Sequence, residues 1–439
     1  MAAPFSDGVG TKVPLTMHFS TVAGEAGSPD TNRDPREFAI KLRTSKGIWD
    51  WVFNNTPVFF IRDPTKFPLF IHSQKRNPQT NLRTPNSQWD YWSQNQEAIY
   101  QILILFSNRG YALRNSTIEH IRTAPASWAQ MHGWSGHTYK WVTETGDWHY
   151  VKVKVISDEG INNLNATEAK DLIASNLDHN TQDLRQVADR ITAGKFPSWT
   201  VAIQTMTPAE SLKFKYDVND MTKIWPEDEY PLLEVGKIVL NKNPDNWFAE
   251  IEQPIKSPFP PQTCLSAPSR QMIPFCKLAY LRTRTRRVIV WDRITSKYPS
   301  IALWRSTITS APDGCASTEA RAHCPLERPT ILLRSRPRSR SPLDHIAIAD
   351  PNNPQGTVLT SYKLSPRDFE QPNALFNTEF TDVERQSLVD NVIAALSSVT
   401  VPQIQQRSVD MFACVDPALG EKIGSGIGFN ASSPLNCGE

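Results

Sequence analysis

The sequence predicts an α+β protein, with an antiparallel β domain first and a helical domain last, from two periodic patterns and the break between them. In Trp148 to Val155, Val151, Val153 and Val155 share one strand face while Lys152 and Lys154 share the other, the period-2 pattern of a half-buried strand. Beyond Ser365 the period lengthens. Thr381-Asp-Val-Glu384 is a capping box, and Leu388, Val389, Val392, Ile393 and Leu396 follow on one helical face. Between these regions, residues 277 to 340 keep neither period for long and carry 14 Lys+Arg against 4 Asp+Glu. The expected units are therefore residues 1–255, a β core, 256–365, an irregular connecting segment, and 366–439, a helical domain.

The other elements follow in order. Residues 56 to 64, TPVFFIRDP, form the first β-rich run, and Trp199 to Gln204 and Gly236 to Asn241 are later ones. Helices are expected from Asn95 to Phe106, where Ile99, Ile102, Leu103 and Phe106 fall at helical spacing, and from Thr167 to Asn176, which Thr167 can cap. A last helix follows Pro402 through Ile404, Val409, Met411, Phe412 and Val415 until Gly424 and Gly426 end the pattern. No internal repeat is visible.

Composition narrows the function. With 439 residues, 39% of them hydrophobic, and a net charge of +2, the chain can bury a large core, and bulk disorder is excluded. Thirty-four prolines against 19 glycines fit long loop excursions. No run of 18 apolar residues exists to form a membrane span, and MAAPFSDGVGTK lacks the order of a secretory signal, so an intracellular protein is expected. The glycosylation tripeptides at Asn54, Asn115, Asn165 and Asn430 then read as chance matches. Six cysteines are too sparse for a disulfide scaffold, and His323 beside Cys324 supplies only two ligands of a tetrahedral site. The +10 balance of residues 277 to 340, ending in Arg334-Ser-Arg-Pro-Arg-Ser-Arg340, suits either a phosphate-backbone contact or a solvated linker.

Two stretches carry chemistry. In Phe19 to Pro35, small and turn-forming residues bend the backbone repeatedly. In Trp51 to Pro68, a polar Asn54-Asn55-Thr56 sits at the mouth of an aromatic run containing Phe53, Phe59, Phe60 and Phe67. An amide so flanked can bind a small polar ligand in an apolar pocket, or cap a turn through its own backbone.

At these residues the chain resembles the small-subunit haem catalases. FSTVAGEAGSPDTNRDPREFA, NNTPVFFIRDPTKFPLFIHSQKRNPQTNLR, MHGWSGHTYKW, KFPSWTVAIQTMTP, WPEDEYPLLEVGKIVLNKNPDNWFAEIEQ and DFEQPNALF stand in the family's order over residues 14 to 255 and 366 to 421. The resemblance implies an antiparallel β-barrel core, a wrapping segment, a C-terminal helical domain and a homo-tetramer. It implies haem as cofactor and hydrogen peroxide as substrate, in a peroxisome or the cytoplasm, with no nucleic-acid or membrane partner. Carried over by motif, Asn54 is the distal asparagine that helps hold peroxide, Phe67 stacks on the haem, Phe60 lines the pocket and Ser20 stands beside the distal histidine. Ser107, Arg109 and Trp225 match an NADPH site, but Tyr100, Ile104, His132, Trp134, Ile156 and Glu227 stand where the family has other ligands, so NADPH is not the favoured cofactor.

The chain also departs from the family. The family's distal histidine falls at a motif position upstream of Met1, and His18 aligns with an arginine that grips a haem propionate, a bidentate grip that imidazole cannot reproduce. The proximal motif should read RLFAYPDTHRHRLG, with its tyrosinate on the iron. Lys277-Leu-Ala-Tyr280 mimics its start, which makes Tyr280 the one candidate iron ligand, but no Pro-Asp-Thr follows. Read in the neighbouring frame, Ala279 to Asp292 can become RLFAYPDTxRHRLG, so residues from about 260 to before 365 resemble a frame-shifted translation, which also accounts for their charge. Residues Tyr111 to Ala124 read as an insertion. The peptide end, Asn436-Cys-Gly-Glu439, is not a Ser-Lys-Leu peroxisomal address. Peroxide decomposition is the function implied, with the activity of this literal chain in doubt. An inactive catalase-like subunit and a basic nucleic-acid-binding protein are the alternatives.

Overall fold

The computed structural model describes residues 10–25, 27–44, 47–107, 124–142, 146–164, 166–184, 194, 196–246, 347–350, 353–358, 363–430 and 437. Its centre is an antiparallel sheet ordered β1 (Leu15–Thr21), β2 (Arg36–Thr44), β3 (Gly47–Asn54), then, past the two-residue pair β4 (Ala124–Pro125), β5 (Gly133–Trp134), with β6 (Tyr139–Val142) and β7 (Trp148–Ser157). Beyond β8 (Asn163–Leu164), which pairs with β4, the sheet continues through β9 (Ser198–Met206) to β10 (Leu233–Val239), while β6 pairs with β7 alone. The sheet curls so far that Phe19 of β1 brings its ring within 5.9 Å of Trp199 of β9. Its edges β1 and β10 stay unpaired with each other, so the expected barrel is a curled, open one.

The curl follows from side-chain alternation. Phe38, Ile40 and Leu42 on β2, Trp51 and Phe53 on β3, Val151, Val153 and Val155 on β7, and Trp199, Val201 and Ile203 on β9 all enter one buried cluster inside the curve. The expected half-buried strand needs correction. Lys152 and Lys154, on the outer face of β7, are buried too, because the connection after β9 folds over them: Lys152 Nζ donates to the Lys223 carbonyl at 3.1 Å and Lys154 Nζ to Glu227 at 2.6 Å.

The run 56 to 64 is not a strand. Pro57 cannot donate to a ladder, and the segment crosses irregularly from the sheet to α1 (Phe67–Ser73), burying Val58, Phe60 and Ile61. Helices α2 (Pro85–Gln94) and α3 (Ile99–Phe106) follow; the expected helix from Asn95 begins as a 3-10 turn at Gln96–Ala98. Phe60 stacks on Trp92 at 5.7 Å and 8°, and Trp89 meets Trp92 edge-on at 5.2 Å. Helix α4 (Ala166–Ser175) lies close to its expected place, and the short α5 (Pro208–Ser211) starts at a capping box of Thr207 and Glu210.

After the hairpin β11 (Ala347–Asp350) and β12 (Asn353–Val358), α6 (Glu370–Ala374) leads to α7 (Asp382–Leu396), capped by Thr381 and Glu384 as the sequence expects. The last expected helix is two, α8 (Pro402–Val415) and α9 (Pro417–Ile427). Asp416 breaks it: its carboxylate accepts from the Ala418 and Leu419 amides, and Pro417 sits in the first turn that follows. Gly424 and Gly426 lie inside α9, which ends instead at Gly428 with φ +79°. Gly426 is there for closeness: a Cβ would stand 2.2 Å from Ile393 of α7. Cys414 and Cys437 form a disulfide, although the cysteine count argued against a disulfide scaffold. Residues 277 to 340, expected to pack poorly, Tyr280 within them, and residues 111 to 123 of the expected insertion lie outside the described residues.

Sheet and helices are joined by a buried ionic cluster. Arg62 Nη1 donates to Asp220 at 3.0 Å and, through a short contact, to Asp368; its Nη2 donates to Asp368 at 3.0 Å, and Lys223 Nζ donates to Asp368 at 2.8 Å. Burial pushes the Asp368 carboxyl up, but hydrogen bonds and charge from Arg62 and Lys223 outweigh it and hold the group at about 2. Asp368→Asn is expected to cost about 3–5 kcal/mol, measured by urea unfolding, because two buried cations then face one carboxylate. The sign of the pH effect follows from linkage: the contribution of this group is full above about pH 4, where the unfolded chain has released the same proton, and is lost as pH falls toward 2. The variant should lose that part of the acid sensitivity.

Candidate active site

The loop between β1 and β2 is built around two buried ionic side chains. Arg36 is fully enclosed and its guanidinium donates to the carbonyls of Asp30 at 2.6 Å, Asn32 at 2.5 Å and Asp34. Asp34 accepts from the Ala23 and Gly24 amides at 2.7 and 3.2 Å. The small residues of this stretch let the backbone wrap so closely that a Cβ on Gly24 would lie 2.5 Å from Thr21 Oγ1. The loop therefore fixes the end of β1 and the start of β2, which carry Ser20 and Glu37.

Strand register then aligns the polar groups. Ser20 pairs with Glu37, Glu37 with Asn54, Asn54 with Trp134 and Trp134 with Lys154. Directly opposed residues share a sheet face. Since Phe38 and Phe53, each one residue away, point inside the curve, this row lies on the outer face. Ser20 Oγ donates to Glu37 Oε1 at 3.0 Å. The two asparagines of the motif differ. Asn55 Oδ1 accepts from the Arg36 amide at 2.8 Å, which is turn chemistry, whereas the Asn54 carboxamide makes no hydrogen bond among the described residues. Burial pushes the Glu37 carboxyl up to about 7, against the Ser20 bond, which pulls it down, and with the nearby Asp34 charge, which adds to the rise.

An amide, a hydroxyl and a carboxyl form a set that hydrogen-bonds a small oxygen ligand. Among the described residues, no group of three His, Cys, Asp or Glu side chains is placed to hold a bare metal ion. These side chains would suit the ligand-facing side of the haem that the motif resemblance implies.

Comparison with known proteins decides the family. The sequence profile described as "Catalase" matches residues 1–303, and that described as "Catalase-related immune-responsive" matches residues 364–427. The chain belongs to the catalase family. It is 40% identical to "Peroxisomal catalase A" of Saccharomyces cerevisiae over 425 residues, covering 94% of this chain and 78% of that protein. It is 36% identical to "Catalase" of Methanosarcina barkeri, covering 97% and 80%. Among solved structures, "Catalase A from Saccharomyces cerevisiae" superposes with a TM-score of 0.70 at 36% identity, covering 97% of this chain and 84% of that one. It is thus a haem-catalase-family protein, of an oxidoreductase family acting on hydrogen peroxide.

The catalase residues expected from the sequence fall into two groups. Ser20 and Asn54 stand two strands apart in the polar row. Phe60 and Phe67 belong to the helical side, Phe60 sealed against Trp92 and Phe67 half-buried at the head of α1. His18 shares the strand face of Ser20, opposite Ala39. Sequence reading missed Glu37, although Phe38, Ile40 and Leu42 alternating with Glu37, Ala39 and Lys41 carry a strand period that would have placed it beside Asn54. It also missed Glu227 as the partner of Lys154. A cavity of about 760 Å³ lined by Phe214, Tyr216, Tyr230, Lys215 and Glu370 holds none of these residues.

Gly133 of β5 sets the position of Trp134 opposite Asn54, and a Cβ there would lie 2.2 Å from the buried ring of Phe38 and 3.0 Å from Phe53. Gly133→Ala is expected to lower stability by about 1–3 kcal/mol. Thermal unfolding checks this, and adding Phe38→Leu should recover part of the loss.

Proposed function

We propose that the chain is built to decompose hydrogen peroxide at a bound haem, with the peroxide held by the Asn54 carboxamide. The observation that carries this reading is that the Asn54 carboxamide, unlike that of Asn55, makes no hydrogen bond among the described residues. Haem supplies the iron and ring system from which peroxide can draw electrons. The protein would supply position: Asn54 would orient the peroxide, Ser20 hydrogen-bonds within the same row, and Phe67 and Phe60 would line the haem pocket. Tyr280 is the candidate iron ligand. A tetramer and the small-subunit class rest on motif resemblance alone, and a peroxisomal address on that resemblance and on relatives described as peroxisomal catalases, with the cytoplasm as the other address. NADPH is not the favoured cofactor of this reading, because Tyr100, Ile104, His132, Trp134, Ile156 and Glu227 stand where the family has other ligands.

The same reading assigns residues from about 260 to before 365 to a shifted reading frame. Residues 304 to 363, inside that range, match neither family profile. Two versions of the full chain test it, one of this sequence and one with the alternate frame restored, each loaded with haem. Oxygen evolution from peroxide is expected to be low in the first and at least about 100-fold higher in the second, in which a tyrosine followed by Pro-Asp-Thr can ligate iron. Equal rates overturn the frame assignment. Asn54→Ala in the more active version is expected to lower the rate, and an unchanged rate overturns the role of Asn54.

A further inference from the structure

Glu37 is a carboxyl in an unusual place: on a sheet face, one strand from an amide that makes no side-chain hydrogen bond among the described residues, and held from the other side by a hydroxyl. Neighbouring strands stand about 4.8 Å apart, so Glu37 lies midway between Ser20 and Asn54 over a span of about 10 Å. The Ser20 hydroxyl bonds Oε1 and so holds one edge of the carboxyl, and Oε2 accepts no hydrogen bond among the described residues. Among the described residues, no cation is paired with Glu37. Its charged and titratable surroundings are Asp34 at the loop, His18 on the same face of β1, the Lys41–Asp50 ion pair of 2.8 Å farther along β2 and β3, and beyond Trp134 the Lys154–Glu227 pair. Both lysines are matched by a carboxylate, so Glu37 is not held in its ionised form. Half-buried rather than sealed, it can meet a ligand.

We propose that Glu37 is the proton-carrying side chain for peroxide held at Asn54, a role that rests on the reading of Asn54 as the peroxide-holding residue. The Glu37 carboxylate takes the proton from one oxygen of hydrogen peroxide, an O–H bond breaking there and another forming on the carboxyl. The carboxylic acid then gives the proton to the other oxygen of the same molecule. One proton has moved between the two oxygens, the carboxylate is regenerated, and the side chain exchanges no electron. The position of the group near neutrality favours both halves of the transfer, because either form is reached at little cost. Ser20 acts as the positioning residue.

The test has an arm without haem and one with it. Infrared difference titration of the full chain without haem should show a carboxyl with a midpoint near pH 7 that disappears in Glu37→Gln. The midpoint should rise in Ser20→Ala, which removes a bond to the ionised form. It should rise by more than about one unit in Asn54→Asp, which sets a second carboxylate opposite the first. A midpoint in the ordinary carboxylate range, or one that ignores Asn54→Asp, overturns the proposal. In the haem-loaded chain, the rate of reaction with hydrogen peroxide should fall about 10²- to 10⁴-fold in Glu37→Gln, with loss of the pH limb near 7. A rate within twofold of the parent overturns the role of Glu37 while leaving that of Asn54 intact. If Asn54→Ala leaves the rate unchanged but Glu37→Gln lowers it, the reading of Asn54 fails and the proton-carrying role of Glu37 stands without it.

Discussion

The cluster of Arg62, Asp220, Lys223 and Asp368 is the constraint on which the rest of the molecule turns. Its members come from three distant segments: the crossing after β3, the connection after β9, and the turn before α6. All four are buried, and two positive charges face two negative ones. Such a group is neutral only when complete, and removing one member leaves a charge in a medium that solvates it poorly. Secondary contacts complete the solvation: Thr222 donates to Asp220 at 2.7 Å, Ser365 to Asp368 at 2.9 Å, and the Lys363 carbonyl accepts from Arg62 at 3.1 Å. Apolar contact alone tolerates sliding, but a bidentate guanidinium does not. The segment that leaves Asn54 and arrives at Phe67 is therefore anchored at its midpoint.

A second constraint works from the opposite side of the site. Arg36 binds three carbonyls of its own loop, and Asp34 gathers two amides from the end of β1. Burial draws the Arg36 guanidinium down to about 10, which still leaves it charged at neutral pH. The loop is thus held by internal ionic hydrogen bonds, and the strand ends on either side inherit its rigidity. Ser20 and Glu37 are placed by that loop, Asn54 by the Arg62 cluster. The two meet in one register row.

Much of the fold was legible because the relevant signals are local. The capping box at Thr381, the alternation in β7 and the apolar stripe of α7 each follow from residues within one or two turns or strands. The misreadings of the apolar segments have a common cause. The buried crossing after Pro57, the approach of Gly426 to α7, and the burial of Lys152 and Lys154 all depend on what another segment does, and a period cannot report a partner far away along the chain. The site shows the same division. The Asn-Asn-Thr motif pointed to Asn54, yet only the hydrogen bond from the Arg36 amide separates the structural asparagine, Asn55, from Asn54, whose carboxamide makes none among the described residues. Glu37 was hidden because its meaning lies across two ladders rather than along its own strand.

The outer face of the sheet explains why a carboxyl can be tuned there at all. An exposed face would let water fix Glu37 in its ordinary ionised state, and a face covered only by apolar groups would give the row no ligand function. Here the connection after β9 covers the β7 end and brings Glu227 to Lys154 and the Lys223 carbonyl to Lys152. Burial still draws Lys152 down to about 8. An unmatched ammonium at Lys154 would stand about 14 Å from Glu37, three strand spacings away, where a partly buried path screens little. It would favour the carboxylate and pull Glu37 toward its usual range. Because Glu227 pairs with Lys154 behind Trp134, the Asp34 charge and burial are left to act on Glu37 with only the Ser20 bond against them. The position of that carboxyl is thus set locally, by burial and the Asp34 charge against the Ser20 bond.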